Sequence, residues 1–357
     1  MVYPVHTIIM HPAPHLDEIV ALLVARLYGE RLYPGISTAQ VLYMGSNELT
    51  MTPEQYLAQG CLPIGVGNGR YDEHPKPGSE EKKPGECAST LLAKDLNVQG
   101  DLALMAILQE TLYEDTLGAR APAEFPTLGT FAKILHYLYK DDLWVVNWVM
   151  QGVYAVYCAL AQGQLAHVPG ALRTETVIDV LRAQNPAPAE QWADLVQQSL
   201  DWEDQRFQVA ATDFAKARVT DVRPGGNGRS IKIAAVNSDN HKISPYARSE
   251  HGGYCAVVIQ KKPNGQVQIH TNRYHKLELD EVAKALRQME EKAGGVKANP
   301  ATFGDEGFIG VWYYHKGLNA LFNGTITAPN VPPTKLSLEQ IERIVRDNLK
   351  QKPKEAR

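Results

Sequence analysis

In the stretch HPAPHLDE, the seven residues His11 to Asp17 carry two imidazoles and a carboxylate, His11, His15 and Asp17. A second stretch, GNGRYDEHP, adds Asp72, Glu73 and His74. Imidazole and carboxylate together form a mixed nitrogen and oxygen donor set, which suits manganese, iron, cobalt or zinc better than a soft thiolate site would. Each residue also has a plainer reading. A histidine after a strand is commonly a hydrogen-bonded loop or core residue, and Asp17 at a helix start favours the positive end of the helix dipole. Two clusters of the same composition make the metal reading the stronger one.

The elements that must position these residues follow from hydrophobic periodicity. HTIIMH reads as a strand, Leu16 to Tyr28 as a helix apolar nearly all round, and AQVLYMG as a second strand. TPEQYLAQG reads as a short capped helix and CLPIGVG as a third strand. Strand, helix, strand, helix, strand is the pattern of a parallel sheet, and ligands in such sheets bind outside the carboxyl ends of the strands. His11, His15 and Asp17 follow strand one and Asp72, Glu73 and His74 follow strand three, so both clusters are expected in one cleft. Gly65, Gly67 and Gly69 do not match a dinucleotide fingerprint and are read as turning the backbone tightly towards a bound ion or phosphate.

From about Asp101 to Phe214 the pattern is helical and completes the first domain. RPGGNGRS, Arg223 to Ser230, breaks both helix and strand and is the expected boundary between domains at 1–222 and 229–357. In the second domain, YCAVVIQ and QVQIHTN are expected to pair as a hairpin around Asn264-Gly265. LELDEVAKALRQMEEKAG reads as an amphipathic helix, GFIGVWYYH as one buried strand, and KLSLEQIERIVRDNLKQ as a helix capped by Ser337. The fold class is α/β, a parallel sheet with flanking helices, plus a smaller C-terminal α+β domain. Arg248, His251, Arg273 and His275 offer cationic contacts to a phosphate across a cleft.

With 357 residues, 44% hydrophobic and 21% charged, the chain has room for two cores. Lys plus Arg is 36 against Asp plus Glu at 40, a net charge of -4, which gives no support for a large footprint on duplex nucleic acid. Cys61, Cys87, Cys158 and Cys255 form no CxxC pair, so a reducing cytoplasm fits best. No charged region followed by an apolar signal core opens the chain, and no run is expected to reach the roughly 18 apolar residues of a membrane span. Neither export nor a membrane partner is expected.

His-x3-His-x-Asp at His11, His15 and Asp17 resembles the first motif of the DHH phosphoesterase superfamily, His-x3-Asp-x-Asp, with His15 replacing the first Asp. IGVGNGRYDEHP is similar to that superfamily's third-strand segment, where an Asp near the strand end precedes glycines and then Asp-His-His. Among its branches the chain is most similar to the melanocyte-proliferating-gene exonuclease family. GECASTLLAKDL and ETLYEDTLG fall where that branch has a small-residue helix start and a fourth-motif acid. The likeness covers Thr7 to His136. Beyond Gly228 it is general, resembling an appended substrate-binding domain.

The resemblance implies a metal-dependent phosphoesterase acting on a nucleotide or on the end of a single-stranded nucleic acid. His11, His15, Asp17, Glu73 and Asp115 would be the ligands, with His74 donating to the phosphate or leaving group and Asp72 beside it in the catalytic set. The cation would be manganese, with magnesium, cobalt or zinc as alternatives; the oligomeric state is left open, a homodimer included. His136, on an apolar helix, is expected to be a satisfied core histidine.

Two departures qualify this. The acid that bridges two metals in the superfamily falls on Gly65, and the ligating histidine of the triplet is Glu73. At most one tightly held ion is therefore expected, with Asp installed at Gly65 raising occupancy if the backbone there does not need a positive φ. The alternative is a catalytically impaired relative that binds a nucleotide or other anion. A third reading, a structural protein whose histidines merely pack, requires both clusters to be accidental.

Overall fold

The apolar side chains from Ile19 to Ala25 cover two turns of helix with no polar face for water, so a helix there must be enclosed on all sides. The computed structural model, which describes residues 2–45, 48–73, 85–117, 126–166, 170–225, 229–294 and 307–351, shows that enclosure. The chain is α/β and divides into two compact units, Met1–Trp202 and Glu203–Arg357.

In the first unit, β1 (Thr7–Met10) leads into α1 (Leu16–Tyr28), β2 (Gln40–Tyr43), α2 (Pro53–Ala58) and β3 (Cys61–Pro63). The strands form a parallel sheet in the order β2-β1-β3, with Thr7 level with Gln40 on one side and Cys61 on the other. β1 is central and mostly buried, whereas β2 alternates in exposure as an edge strand does. Thr52 caps α2 and Gln55 returns the bond to the Thr52 N–H, the reciprocal pairing that the T-x-x-Q pattern encodes.

The helices α3 (Ala88–Leu96), α4 (Leu102–Leu117), α5 (Leu128–Tyr139), α6 (Asp142–Ala161) and α7 (Thr174–Gln184) follow, and α8 (Pro186–Phe214) runs across the division between units. α1 packs against α3, α4, α5 and α6, which explains its all-round burial. By length and composition α6 is apolar enough to cross a membrane, which corrects the expectation that no run is long enough; Asn147 and Gln151 interrupt its apolar sequence without lowering its mean hydropathy below that of a span. Its Val145, Val146, Val149, Val153 and Val156 are fully buried, and it packs against α1, α4, α5 and α7.

The second unit is built on β4 (Arg218–Val222), β5 (Ile231–Asn237), α9 (Ile243–Arg248), β6 (Val257–Lys261), β7 (Val267–Thr271), β8 (Leu277–Glu278), α10 (Asp280–Lys292), β9 (Gly307–Ile309), β10 (Trp312–His315), β11 (Ala320–Asn323), α11 (Leu338–Asn348) and β12 (Lys350–Gln351). A mixed sheet has the order β4-β5-β6-β7-β11-β10-β9, parallel at β5-β6 and antiparallel elsewhere, and β8 pairs with β12. Side chains alternate across β5: Ile233 and Ala235 join a core with α10 and α11, and Ala234 and Val236 join one with α8 and α9. The hairpin β6-β7 turns at Asn264-Gly265 and Ser337 caps α11, both as expected.

Two expectations are corrected. The Arg223–Ser230 segment is no interdomain linker, because β4 before it and β5 after it pair from Arg218↔Ala235 to Val222↔Ile231; the units divide between Trp202 and Glu203 instead. GFIGVWYYH is two antiparallel strands, β9 and β10, since Gly310 at φ +64 turns the chain within it. All four cysteines are free.

Candidate metal centre

Between β1 and α1 the chain runs His11-Pro12-Ala13-Pro14-His15. Ala13 sits at φ +50, a left-handed conformation that is costly for a residue with a Cβ and more so before a proline. A brace from the helical layer over-determines it. His136, 3% exposed on α5, has Nε2 3.3 Å from the Pro14 carbonyl and Nδ1 2.9 Å from Asp142 at the start of α6. Asp142 also accepts the Ala13 N–H, and these bonds hold its carboxyl below the usual range against the upward push of burial. His136 is thus the core histidine expected from sequence, with a positioning task besides.

The brace presents His11 and His15 to one side. The His11 Nδ1–H donates to the Pro12 carbonyl at 2.8 Å, which leaves Nε2 facing Glu18 Oε1 at 2.5 Å. His15 is the N-cap of α1, and its N–H donates to Glu18 Oε2 at 2.6 Å, as an acid at the third helical position can do. The two imidazole rings meet edge to face, 4.9 Å between centroids. His11 and Glu18 are buried and His15 is exposed, and a nitrogen or oxygen of each lies within 4.8 Å of the others.

Asp17, Glu73 and Asp115 form a second group of the same tightness, from the first turn of α1, the segment after β3, and α4. Asp17 is 3% exposed. Burial, then the charges of Glu18, Glu73 and Asp115, then Cys87, all raise its pKa well above the ordinary carboxyl value. Glu18 behaves oppositely: burial pushes it up, but the charge and hydrogen bond of His11, followed by His15, hold it at about 2. One buried acid is thus matched to cations and its neighbour to anions.

Gly65 lies against Glu18. Its φ is +66, and a Cβ built there would stand 2.5 Å from both Cγ and Oε1 of Glu18. The expectation that Asp at Gly65 would add a ligand is therefore corrected on two counts. The backbone does need a positive φ, and Glu18 already fills the space.

The expected ligands are brought together as two sets, His11 with His15, and Asp17 with Glu73 and Asp115. Glu18, which joins the first set, was missed; its signal in the sequence is its place three residues after the helix-capping His15. Asp72 is 4% exposed and belongs to neither set; its Oδ2 accepts the Asn68 N–H at 2.7 Å and ties down the glycine-rich loop. His74 lies outside the described residues.

Arg248, His251, Arg273 and His275 all lie in the second unit. The Arg248 guanidinium donates to the carbonyls of Ser244 and Thr271, and burial together with the nearby Arg273 charge lowers its pKa. His251 is exposed and faces the Tyr246 and Phe207 rings. His275 closes a short 3-10 turn that begins at Arg273, and burial lowers its pKa. These residues are therefore two neighbouring guanidiniums, a histidine against aromatic rings and a half-buried histidine.

No family model and no curated protein matches the chain. A crystal structure of an uncharacterised protein from Helicobacter pylori G27 is similar at 9% identity and a TM-score of 0.29, covering 96% of this chain and 98% of that one. A likeness at that score carries no argument.

Proposed function

We propose that the first unit is a DHH-like, metal-dependent phosphoesterase domain that hydrolyses a phosphodiester or nucleotide phosphate, with a nucleotide or a single-stranded nucleic acid end as substrate. The observation that carries this reading is the convergence of His11 and His15, and of Asp17, Glu73 and Asp115, in two groups beyond the carboxyl ends of a parallel sheet. The donor set fits a divalent cation: imidazole nitrogen and carboxylate oxygen suit manganese, iron, cobalt or zinc, and the resemblance favours manganese, with magnesium, cobalt or zinc as alternatives. Such a cation would lower the pKa of a water molecule and offset charge on phosphoryl oxygens.

The chain's own part is orientation and charge. The bond from His11 Nδ1 to Pro12 fixes the imidazole tautomer and directs Nε2 inward. Ala13 and Pro14, held by Asp142 and His136, keep that loop from relaxing. Burial, and then the carboxylates around Asp17, disfavour its ionisation until positive charge arrives. His74 and Asp72 are assigned proton and phosphate contacts by the resemblance, and Arg248, His251, Arg273 and His275 substrate binding in the second unit. The free cysteines support a cytoplasmic setting.

A second reading, a binder without turnover, is favoured by one observation. His11 and Glu18 already form a close pair, which satisfies both without a cation.

Manganese and nucleotide titration by calorimetry, run beside hydrolysis of a chromogenic phosphodiester and of end-labelled oligonucleotides, separates these readings. Metal-dependent turnover that chelator abolishes, and that Asp17→Asn and His11→Ala each remove, is the expected result. Absence of turnover on any substrate, with or without cation binding, moves the assignment to the binder of a nucleotide or other anion, and absence of both cation and nucleotide binding defeats both.

A further inference from the structure

One edge of the large sheet in the second unit is β4, which pairs with β5 on one side. Among the described residues no backbone hydrogen bond joins Arg218–Val222 to anything but β5, so every second residue of β4 turns its N–H and C=O away from the sheet. Sheets commonly blunt such an edge with lysine, proline or a bulge. The strand RVTDV has neither lysine nor proline, its register with β5 runs without a bulge, and its Val219 is 45% exposed.

The two faces of this edge differ. Arg218 is level with Ala235 and Thr220 with Ile233, which puts both on the face that α11 covers, whereas Val219 is level with Ala234 on the other face. On the α11 side, Arg218 and Thr220 of β4 and Glu339, Glu342, Arg343 and Arg346 of α11 line a groove of about 430 Å³. Glu342 is 7% exposed and engaged internally, accepting the Thr220 hydroxyl at 2.9 Å and the Arg218 guanidinium. Arg343 and Arg346, one turn apart, are exposed. Among the described residues Arg343 has no ion pair, and Arg346 pairs with its chain neighbour Asp347 at 3.2 Å.

We propose that β4 is a docking edge for an extended acidic segment of a partner protein, which adds to the sheet as a further strand, with alternate carboxylates on Arg343 and Arg346 and the side chains between them against Val219. In this mode of recognition the backbone ladder supplies affinity and the alternate side chains supply specificity. Two other occupants fit worse. A second copy pairing antiparallel through β4 would bring the same arginines to one face, like charge against like. A nucleic acid strand has no peptide ladder to complete, and Glu339 and Asp347 would stand against its phosphates. This docking edge is independent of the metal-dependent reading of the first unit.

The test uses the full chain and short peptides with glutamate at every second position and valine between, labelled at one end for fluorescence anisotropy. Hydrogen exchange reads the β4 amides. Binding that salt weakens and that protects those amides is the expected result. N-methylation of the alternate set of peptide nitrogens that faces β4 is expected to abolish binding, and methylation of the other set to spare it. Arg343→Glu combined with Arg346→Glu, two exposed positions whose folding is checked by circular dichroism, is expected to lower affinity by on the order of 10-fold or more. Peptides with lysine in place of glutamate are expected to prefer that double variant to the parent. No binding, binding without protection of β4, binding indifferent to both methylated sets, or parental affinity in the double variant each overturns the proposal. So does a single-stranded oligonucleotide that binds the parent more tightly than the peptides and loses affinity in the double variant, which would assign this face to nucleic acid.

Discussion

Replacing Gly152 by alanine sets two effects of opposite sign against each other. Gly152 lies inside α6, where alanine is favoured over glycine by about 0.8–1.0 kcal/mol. A buried methyl group adds roughly 0.8 kcal/mol if it finds room. It does not: the added Cβ would stand 2.6 and 2.9 Å from two ring carbons of Trp192 and 3.3 Å from Val177. Carbon pairs prefer about 3.5–4.0 Å, so the indole must withdraw by roughly 0.6–1 Å. Trp192 is 1% exposed and is held by Phe131 and Trp148, with ring centroids 5.5 and 5.7 Å away, so it has no open side to move into. Overpacking of this kind costs about 1–3 kcal/mol, which exceeds the helix gain because the methyl contributes nothing until the ring has moved. We expect Gly152→Ala to lose about 1–2 kcal/mol in urea denaturation, a Tm fall of roughly 2–8 °C for a unit of this size. Combined with Trp192→Phe, which removes the ring carbons in question, the alanine should become neutral or favourable, a coupling of about 1–2 kcal/mol in the double-mutant cycle. A more stable Gly152→Ala single variant would refute the reasoning.

Asp142→Asn weakens the brace on Ala13 and Pro14 without touching a proposed ligand, and manganese affinity should fall about 10-fold by calorimetry, in the range typical of groups that orient ligands. In the second unit burial pushes Glu203 up, but hydrogen bonds and charge from His241 and Lys242 hold its carboxyl below its ordinary value of 4.5. A lowered folded pKa means its contribution, about 1–3 kcal/mol, is complete above pH 4.5 and is lost as the pH falls through the folded value. Melting curves between pH 3 and 7 should show this loss in the parent and a flatter profile in Glu203→Gln. Ser337→Ala removes one half of the capping box of α11, whose Ser337 and Gln340 exchange bonds of 3.2 and 2.8 Å, and should cost about 1 kcal/mol by denaturant titration.

What was legible in the sequence is what local chemistry determines. The unbroken apolar run of Ile19 to Ala25 marked a buried helix, Thr52 with Gln55 marked a helix start, and Asn264-Gly265 marked a hairpin. What was not legible depends on neighbours distant in the chain. The glycine-rich segment after Val222 reads as a break whether or not the strands beside it pair, and only the β4-β5 ladder decides. Asp17 and Glu18 are adjacent acids of the same type, yet one faces two histidines and the other two carboxylates. Glycine at position 65 registers in the sequence as a lost ligand; only in space does it become room for Glu18. The pairing of His136 with a loop 122 positions earlier has no local signature at all.

The burial of α1 bears on how this protein can change. Residues 16 to 25 are buried without a break, and Asp17 and Glu18 sit among them, so the helix that carries part of the candidate centre is also the centre of the hydrophobic core. A substitution made there to retune chemistry is at once a substitution in the core, and it arrives with a stability penalty that must be met elsewhere. New specificity, in nature or in directed evolution, should therefore come first from residues 48 to 52 after β2, which are half-buried or exposed, rather than from the segment after β3, where Ile64, Val66 and Tyr71 are themselves buried in the core. α1 should change last, in coupled steps, with Glu18 and Gly65 moving together.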